Sequence, residues 1–281
     1  MKIIHNIDDM RKLVREYRDN KKSIGFVPTM GALHKGHMSL VESSKEDNDI
    51  TVMSIYVNPT QFGPKEDLAS YFRPIEQDKE MAQYYNVDVL FLPSDEIMYK
   101  TNETAFVTEN TLSQILCGAY RPGHFQGVCT IVTKLLHIVS PHHIYLGQKD
   151  AQQLRILQKM VSELFFDVKV VPAQTIREDD GLACSSRNGY LHDEERLVAP
   201  SIYQSILLAK NAFEKGERRS EVLLSIVRSH LQKFPLVDVQ YIEIVSWDNF
   251  EKIELIEKTT LLAVACFVGK TRLIDNIIFT P

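Results

Sequence analysis

Two histidines three residues apart, His34 and His37, stand in the run IGFVPTMGALHKGHMSL from Ile24 to Leu40, between an apolar stretch and a segment of helical pattern. If the turn between them is helical, both rings share a face, and as imidazolium ions they would neutralise charge developing on a transferring phosphoryl group. Gly31 and Gly36 allow tight backbone geometry and close approach of a ligand, and a helix starting after Gly36 offers unpaired N–H groups to an anion. The run from Met30 through Gly31, Ala32, Leu33, His34, Lys35 and Gly36 to His37 therefore looks suited to nucleotide phosphates. A pair of solvated loop histidines has the same spacing, and the motif alone does not separate the two readings.

Three other polar loops carry chemistry. The first follows an apolar run and gathers the uncharged groups Asn58, Thr60 and Gln61 beside Pro59 and Gly63, where amides would grip a hydroxy acid without adding charge. Asn, Pro and Gly are also ordinary turn residues. The second, Gly147-Gln148-Lys149-Asp150, ends a strand and starts a helix at about Asp150. Lys149 offers a point charge to a phosphate, Asp150 either caps the helix or accepts from a ribose hydroxyl, and Gln153 lies about one turn further on. The third, Cys184-Ser185-Ser186-Arg187-Asn188, sets two hydroxyls beside a guanidinium, as an anion-binding loop or as a surface turn.

These loops need a frame to hold them. Ile24 to Val27 reads as a short buried strand stopping near Thr29 because of Pro28, and Ile50 to Val57, Val87 to Leu92, His143 to Leu146 and Val168 to Val171 read as further short strands rich in β-branched residues. Ile75 to Tyr85, Val128 to Val139 and Ala151 to Leu164 have helical spacing between them. This alternation predicts an α/β, Rossmann-like parallel sheet, whose ligands bind beyond the carboxyl ends of its strands. After Pro172 comes the polar stretch REDDGLACSSRN, then helices over Ser201 to Lys215 and Ser220 to Phe234, then strands over Val237 to Val245, Thr260 to Phe267 and Thr271 to Phe279, with Gly269-Lys270 as a hairpin turn. The economical division is a Rossmann-like domain over 1–175 and a smaller α+β domain with an antiparallel sheet over 176–281.

The 281 residues carry a net charge of −5, which argues against a broad basic face for tRNA or DNA. No apolar run approaches the roughly 18 residues of a membrane span, and the amino terminus has no signal-peptide core, so a cytoplasmic protein is expected. Cys117, Cys129, Cys184 and Cys266 form no CxxC, so neither a zinc site nor a disulfide framework is expected.

Five blocks, FVPTMGALHKGH (26–37), YVNPTQFGPKEDL (56–68), YRPGHFQGV (120–128), GQKDAQQ (147–153) and CSSRN (184–188), resemble the pantothenate synthetases, the pantoate–β-alanine ligase family, in order and approximate spacing. The first is that family's form of the HIGH motif of the nucleotidyltransferase superfamily, and the last stands where a KMSKS-type loop lies. The resemblance implies that pantoate attacks the α-phosphorus of ATP to give pantoyl adenylate, which β-alanine then converts to pantothenate and AMP, with Mg2+ on the phosphates. It implies ATP contacts by residues 30–37, 147–150, the Ile176 backbone and 184–187. Within these, His34, His37 and Lys149 would be catalytic, with His37 as proton donor to pyrophosphate. It implies pantoate on Gln61 and Gln153, β-alanine beside Gln61 and Asn58, residues 185–187 as a lid, and a homodimer; the lack of a dedicated carboxylate cage in the sequence is no objection to Mg2+, which often keeps mostly water and substrate oxygens. The roles of Arg121 and His124 stay open. Cys184 stands where the family usually has Met, and Phe72 and Pro74 depart from its Tyr-Pro-Arg-Thr run. An adenylyltransferase of the same superfamily, a class I aminoacyl-tRNA synthetase and a catalytically silent ATP-binding module are the rival readings.

Overall fold

The structure is a computed structural model that describes residues 1–64 and 66–281. Nine strands, β1 (Lys2–Ile4), β2 (Ile24–Thr29), β3 (Ile50–Ile55), β4 (Val89–Phe91), β5 (His143–Gly147), β6 (Lys169–Ala173), β7 (Val237–Ser246), β8 (Thr260–Val268) and β9 (Thr271–Phe279), form two sheets among the described residues. The first is entirely parallel with the order β1-β4-β3-β2-β5-β6; the second is antiparallel, β7-β8-β9. The helices are α1 (Ile7–Asp19), α2 (Lys35–Asp47), α3 (Ile75–Tyr84), α4 (Asp95–Met98), α5 (Cys117–Tyr120), α6 (His124–Val139), α7 (Ala151–Glu163), α8 (Asp193–Val198), α9 (Ser201–Glu214) and α10 (Ser220–Leu231). The parallel Rossmann-like sheet and the separate antiparallel sheet are those expected from the alternation of apolar runs.

Strand β2 is central because it has no solvated face: Ile24, Phe26 and Val27 are wholly buried, which is how a strand covered on both sides reads in sequence. From β2 the chain moves one way to β3 and β4 and the other way to β5 and β6. The strand order therefore reverses between β2 and β5, and the loops leaving these two strands flank the crevice where such sheets bind ligands. Pairing of β5 with β2 stops at Phe26, so Pro28 lies beyond that ladder and its missing N–H costs nothing on that side.

Two edge elements have no counterpart in the sequence reading. Strand β1 pairs only with β4, and at three residues it is too short for alternation to register. Helix α1 is capped by Asn6, whose side chain accepts from the Asp9 amide at 2.8 Å. Helix α6 begins one turn earlier than its apolar spacing predicts, directly after Gly123, whose φ of +81° turns the chain into it. The β8–β9 hairpin closes through Gly269 and Lys270 with Val268 opposite Thr271. Gly269 has φ +58°, and glycine at the first turn position suits a type II′ turn.

Candidate active site

The backbone after β2 turns through two successive left-handed residues, Gly31 at φ +80° and Ala32 at +49°. A non-glycine residue there is uncommon. What holds it is Asp78 of α3, only 2 % exposed, whose two carboxylate oxygens accept from the amides of Ala32 at 2.9 Å and Leu33 at 2.7 Å. Burial nevertheless pushes the Asp78 carboxyl up, against the pull of those two amides. Nothing in the sequence marks Asp78, which stands between Glu76 and Glu80 like a solvated helix acid.

The turn delivers His34 to the N-cap of α2. Its Nδ1 accepts from the Gly36 amide at 3.2 Å, and the His37 Nδ1 accepts from the His34 amide at 3.3 Å, a capping box built from two imidazoles. The rings lie 4.0 Å apart. Burial, then the Lys149 ammonium, lowers the His34 pKa to about 4, and burial together with His34 and Lys149 puts His37 well below its usual value. The imidazolium pair expected from the spacing is therefore not what this site holds at neutral pH, because desolvation and a neighbouring cation both oppose protonation. With each Nδ1 accepting, each Nε2 carries the hydrogen, and the rings act as hydrogen-bond donors.

The loop after β3 sits beneath. Asn58, 1 % exposed, donates to Gln61 Oε1 and to the Gly127 carbonyl, both at 3.1 Å, and its own carbonyl oxygen accepts from Thr60 and Tyr99. Its amide is thus largely spent on the loop. Gln61 Nε2 lies 3.1 Å from the Met30 sulfur. A second chain of contacts fixes Gln61 from behind: Glu66 holds Arg121 in a two-pronged pair, Arg121 donates to His124 Nε2 at 3.0 Å, and His124 Nδ1 donates to the Gln61 carbonyl at 2.8 Å. Burial and the Arg121 charge bring His124 to a pKa of about 4, consistent with a neutral ring that donates at one nitrogen and accepts at the other. Arg121 and His124 are thus placed to support Gln61.

After β5, Asp150 occupies the N-cap position of α7 without a side-chain cap bond, and its carboxylate lies 3.9 Å from the Lys149 ammonium. On the fourth loop, Ser185 accepts from the Arg187 amide, Ser186 lies 3.4 Å from the Tyr71 hydroxyl, and Arg187 is paired with Asp67. The carbonyl of Ile176 accepts from the Cys184 amide at 2.9 Å.

One cavity of about 230 Å3 collects Met30, His34, Gly36, His37, Asn58, Gln61, Gly147, Lys149, Asp150, Gln153, Ile176, Cys184, Ser185, Ser186 and Arg187. Of the remaining expected residues, Gly31, Ala32 and Leu33 form the turn behind it, Lys35 lines a shallow outer pocket, and the Gln148 carbonyl accepts from Asn276 of β9. A larger cavity, about 550 Å3, shares Arg121, His124, Lys149, Asp150, Gln153, Ser185 and Arg187 with the first and runs on between α5, the start of α7 and the antiparallel sheet. Together they make one cleft.

A parallel sheet with its crevice at the strand-order reversal, a histidine-capped helix and an adjacent lysine loop define a nucleotide-binding α/β protein. Residues 2–278 match the family model described as Pantoate-beta-alanine ligase, and the chain belongs to that family. It is 52 % identical over 278 residues to a pantothenate synthetase of Thermosipho africanus, covering 99 % of this chain and 100 % of that one. The structure is similar to a pantothenate synthetase from Thermus thermophilus, with TM-score 0.95 and 38 % identity over 100 % of both chains. It is also similar to the Francisella tularensis pantoate-beta-alanine ligase complexed with beta-gamma ATP and beta-alanine, with TM-score 0.81 and 34 % identity over 99 % of this chain and 97 % of that one. The chain is accordingly an AMP-forming ligase that condenses pantoate with β-alanine at the expense of ATP, through pantoyl adenylate.

Proposed function

We propose that the cleft carries out both half-reactions with the residues converging on it in the following roles. ATP lies along residues 30–37, 147–150, 176 and 184–187, its phosphates facing His34, His37, Lys149, Ser185, Ser186 and Arg187. Pantoate lies against Gln61 and Gln153, its carboxylate in line with the α-phosphorus. As the carboxylate oxygen bonds to phosphorus and the bond to pyrophosphate breaks, Lys149 and the two Nε2–H groups stabilise the charge that develops on the phosphate oxygens. His37 acts here by hydrogen bonding from a neutral ring. The β-alanine amine then attacks the acyl carbonyl near Gln61 and AMP leaves. Residues 176–281 act as the closing unit over 1–175, excluding water from an adenylate that hydrolyses readily.

Among the described residues no three His, Cys, Asp or Glu side chains gather as a metal-binding group. A Mg2+ entering on the triphosphate would keep mostly phosphate and water oxygens, and the Asp150 carboxylate, unused as a helix cap, fits one of those waters. The ion supplies charge neutralisation on the phosphates when bound. A homodimer and a cytoplasmic location complete the proposal. No described helix is long and apolar enough to cross a membrane, and Leu164 and Phe165 leave an exposed apolar surface on the parallel-sheet unit for a partner.

The observation that carries these roles is the convergence of four separate loops on one cleft. The test is pyrophosphate exchange into ATP with pantoate and Mg2+, followed by pantothenate formation on adding β-alanine. His37→Ala and Lys149→Ala should each lose exchange by about 100-fold or more, on the order expected for a lost transition-state contact. Variants that keep full exchange would remove those two side chains from the first half-reaction.

A further inference from the structure

We infer that Arg272 of β9 is the anchor for the carboxylate of the incoming amine, and that it selects β-alanine over amines lacking a carboxylate; this rests on the ligase reaction stated above. The larger cavity has three arginines on its wall, Arg121, Arg187 and Arg272. Arg121 is paired with Glu66 and Arg187 with Asp67. Arg272 has no carboxylate partner among the described residues. Its Nε and Nη2 donate to the neutral Gln240 Oε1 at 3.0 and 2.8 Å, and Nη2 lies 3.4 Å from the Cys117 sulfur. Its Nη1 makes no hydrogen bond to any described residue. A half-buried guanidinium held only by neutral groups retains its full charge for a ligand, since buried charges are ordinarily paired.

The surroundings choose the ligand. Arg272 does not line the smaller cavity where His34 and His37 stand, and it shares the wall of the larger cavity with Lys149, Ser185 and Arg187 from the triphosphate side. Its companions on the wall are Gln240, Cys117, Tyr120 and Tyr241, with Tyr120 stacked on Tyr241 at 5.7 Å. A guanidinium whose own hydrogen-bond contacts are an amide and a thiol is free to take a single carboxylate.

The wall also connects Arg272 to the pantoate side. The Cys117 amide donates to Gln152 Oε1 at 2.9 Å, and the next residue, Gln153, lines both cavities. β-Alanine carries its amine two methylenes from its carboxylate. With that carboxylate on the free edge of Arg272, the neutral amine would face Gln153 and the acyl carbonyl; its nitrogen forms the amide bond, the bond from carbonyl carbon to AMP oxygen breaks, and the proton lost from nitrogen leaves to the AMP phosphate or to water.

The experiment separates the two half-reactions. Arg272→Met should raise the KM for β-alanine at least tenfold while pantoate-dependent pyrophosphate exchange stays within twofold of the parent, and Arg272→Lys should recover part of the loss. Gln240→Glu, which keeps the guanidinium but gives it an internal carboxylate, should raise the same KM without touching exchange and keeps the test open if the Met variant fails to fold. The parent enzyme should use β-alanine far better than β-alaninamide, and both variants should shrink that preference. An unchanged KM for β-alanine, a parallel fall in exchange, or a change confined to inhibition by pyrophosphate would each overturn the assignment. Loss of pantothenate formation in the parent enzyme itself would instead strike at the ligase reading.

Discussion

Arg187 donates from Nε and Nη2 to the two carboxylate oxygens of Asp67, both at 3.0 Å, so the arginine proposed for the triphosphate is already bonded to an anion of the chain itself. Phosphate binding must displace or share that carboxylate. Both side chains are about one quarter exposed, which keeps the pair near the upper end of what surface pairs contribute, about 1 kcal/mol. Asp67→Asn should therefore tighten ATP about two- to fivefold by calorimetry. Weaker binding would mean that Asp67 positions Arg187 for the nucleotide and does not compete with it.

The Asp78 carboxylate is the sole described partner of the Ala32 and Leu33 amides. Asparagine at that position can accept from one amide only and would set an NH2 against the other, at a cost of about 1–3 kcal/mol. A turn loosened by even ~1 Å can cost about 100-fold in rate. Asp78→Asn should thus lower kcat for pyrophosphate exchange by about that factor, with a folded protein by circular dichroism. Wild-type kcat would show that α2 fixes the histidines unaided.

Gly127 of α6 faces the Asn58–Gln61 loop so closely that a Cβ would meet the Thr60 carbonyl oxygen at 2.6 Å and the Gln61 backbone at 2.7 Å. Those atoms are backbone and cannot swing away. Gly127→Ala should cost about 1–3 kcal/mol in urea unfolding, as overpacking does, and should raise the KM for pantoate more than that for ATP. An equal rise in both would mean the displacement spreads beyond Gln61.

His34, His37 and His124 all have folded-state pKa values below 6.5, with His34 and His124 near 4. Well above pH 6.5, from about pH 7.5 upward, these residues are neutral in folded and unfolded chains alike and contribute little pH dependence. As pH falls from about 6.5 toward about 4 the unfolded chain takes up protons that the folded chain refuses, so stability falls with pH in that window. Tm should drop steadily from about pH 7 to about pH 5, and His34→Asn should flatten the slope. The pH profile of kcat/KM for ATP should lack an ionisation near 6.5 from these side chains.

How far the sequence reaches is visible in particular residues. The parallel strands are legible because Ile24, Phe26, Val27 and their counterparts make short runs dominated by apolar and β-branched residues, and the histidine turn because its glycines and spacing are local features. Asp78 is not legible. Its partner amides lie more than 40 residues away, and only tertiary packing distinguishes it from Glu76 and Glu80. Protonation escapes the sequence for the same reason: spacing shows that two imidazoles are near each other, whereas burial and Lys149 decide that neither is charged. Asn58 looks available because its type is polar; Gly127 and Tyr99, far along the chain, occupy it.

Asn276 of β9 donates to the carbonyls of both Gln148 and Lys149 at 3.0 and 2.9 Å. This rivets the third strand of the small sheet to the backbone that carries Lys149. Any swing of that sheet must drag the lysine backbone with it or break two bonds. Under the closing role proposed for residues 176–281, the antiparallel sheet would be a handle on the ammonium group, aligning its charge with the substrate in the same motion that shuts out solvent.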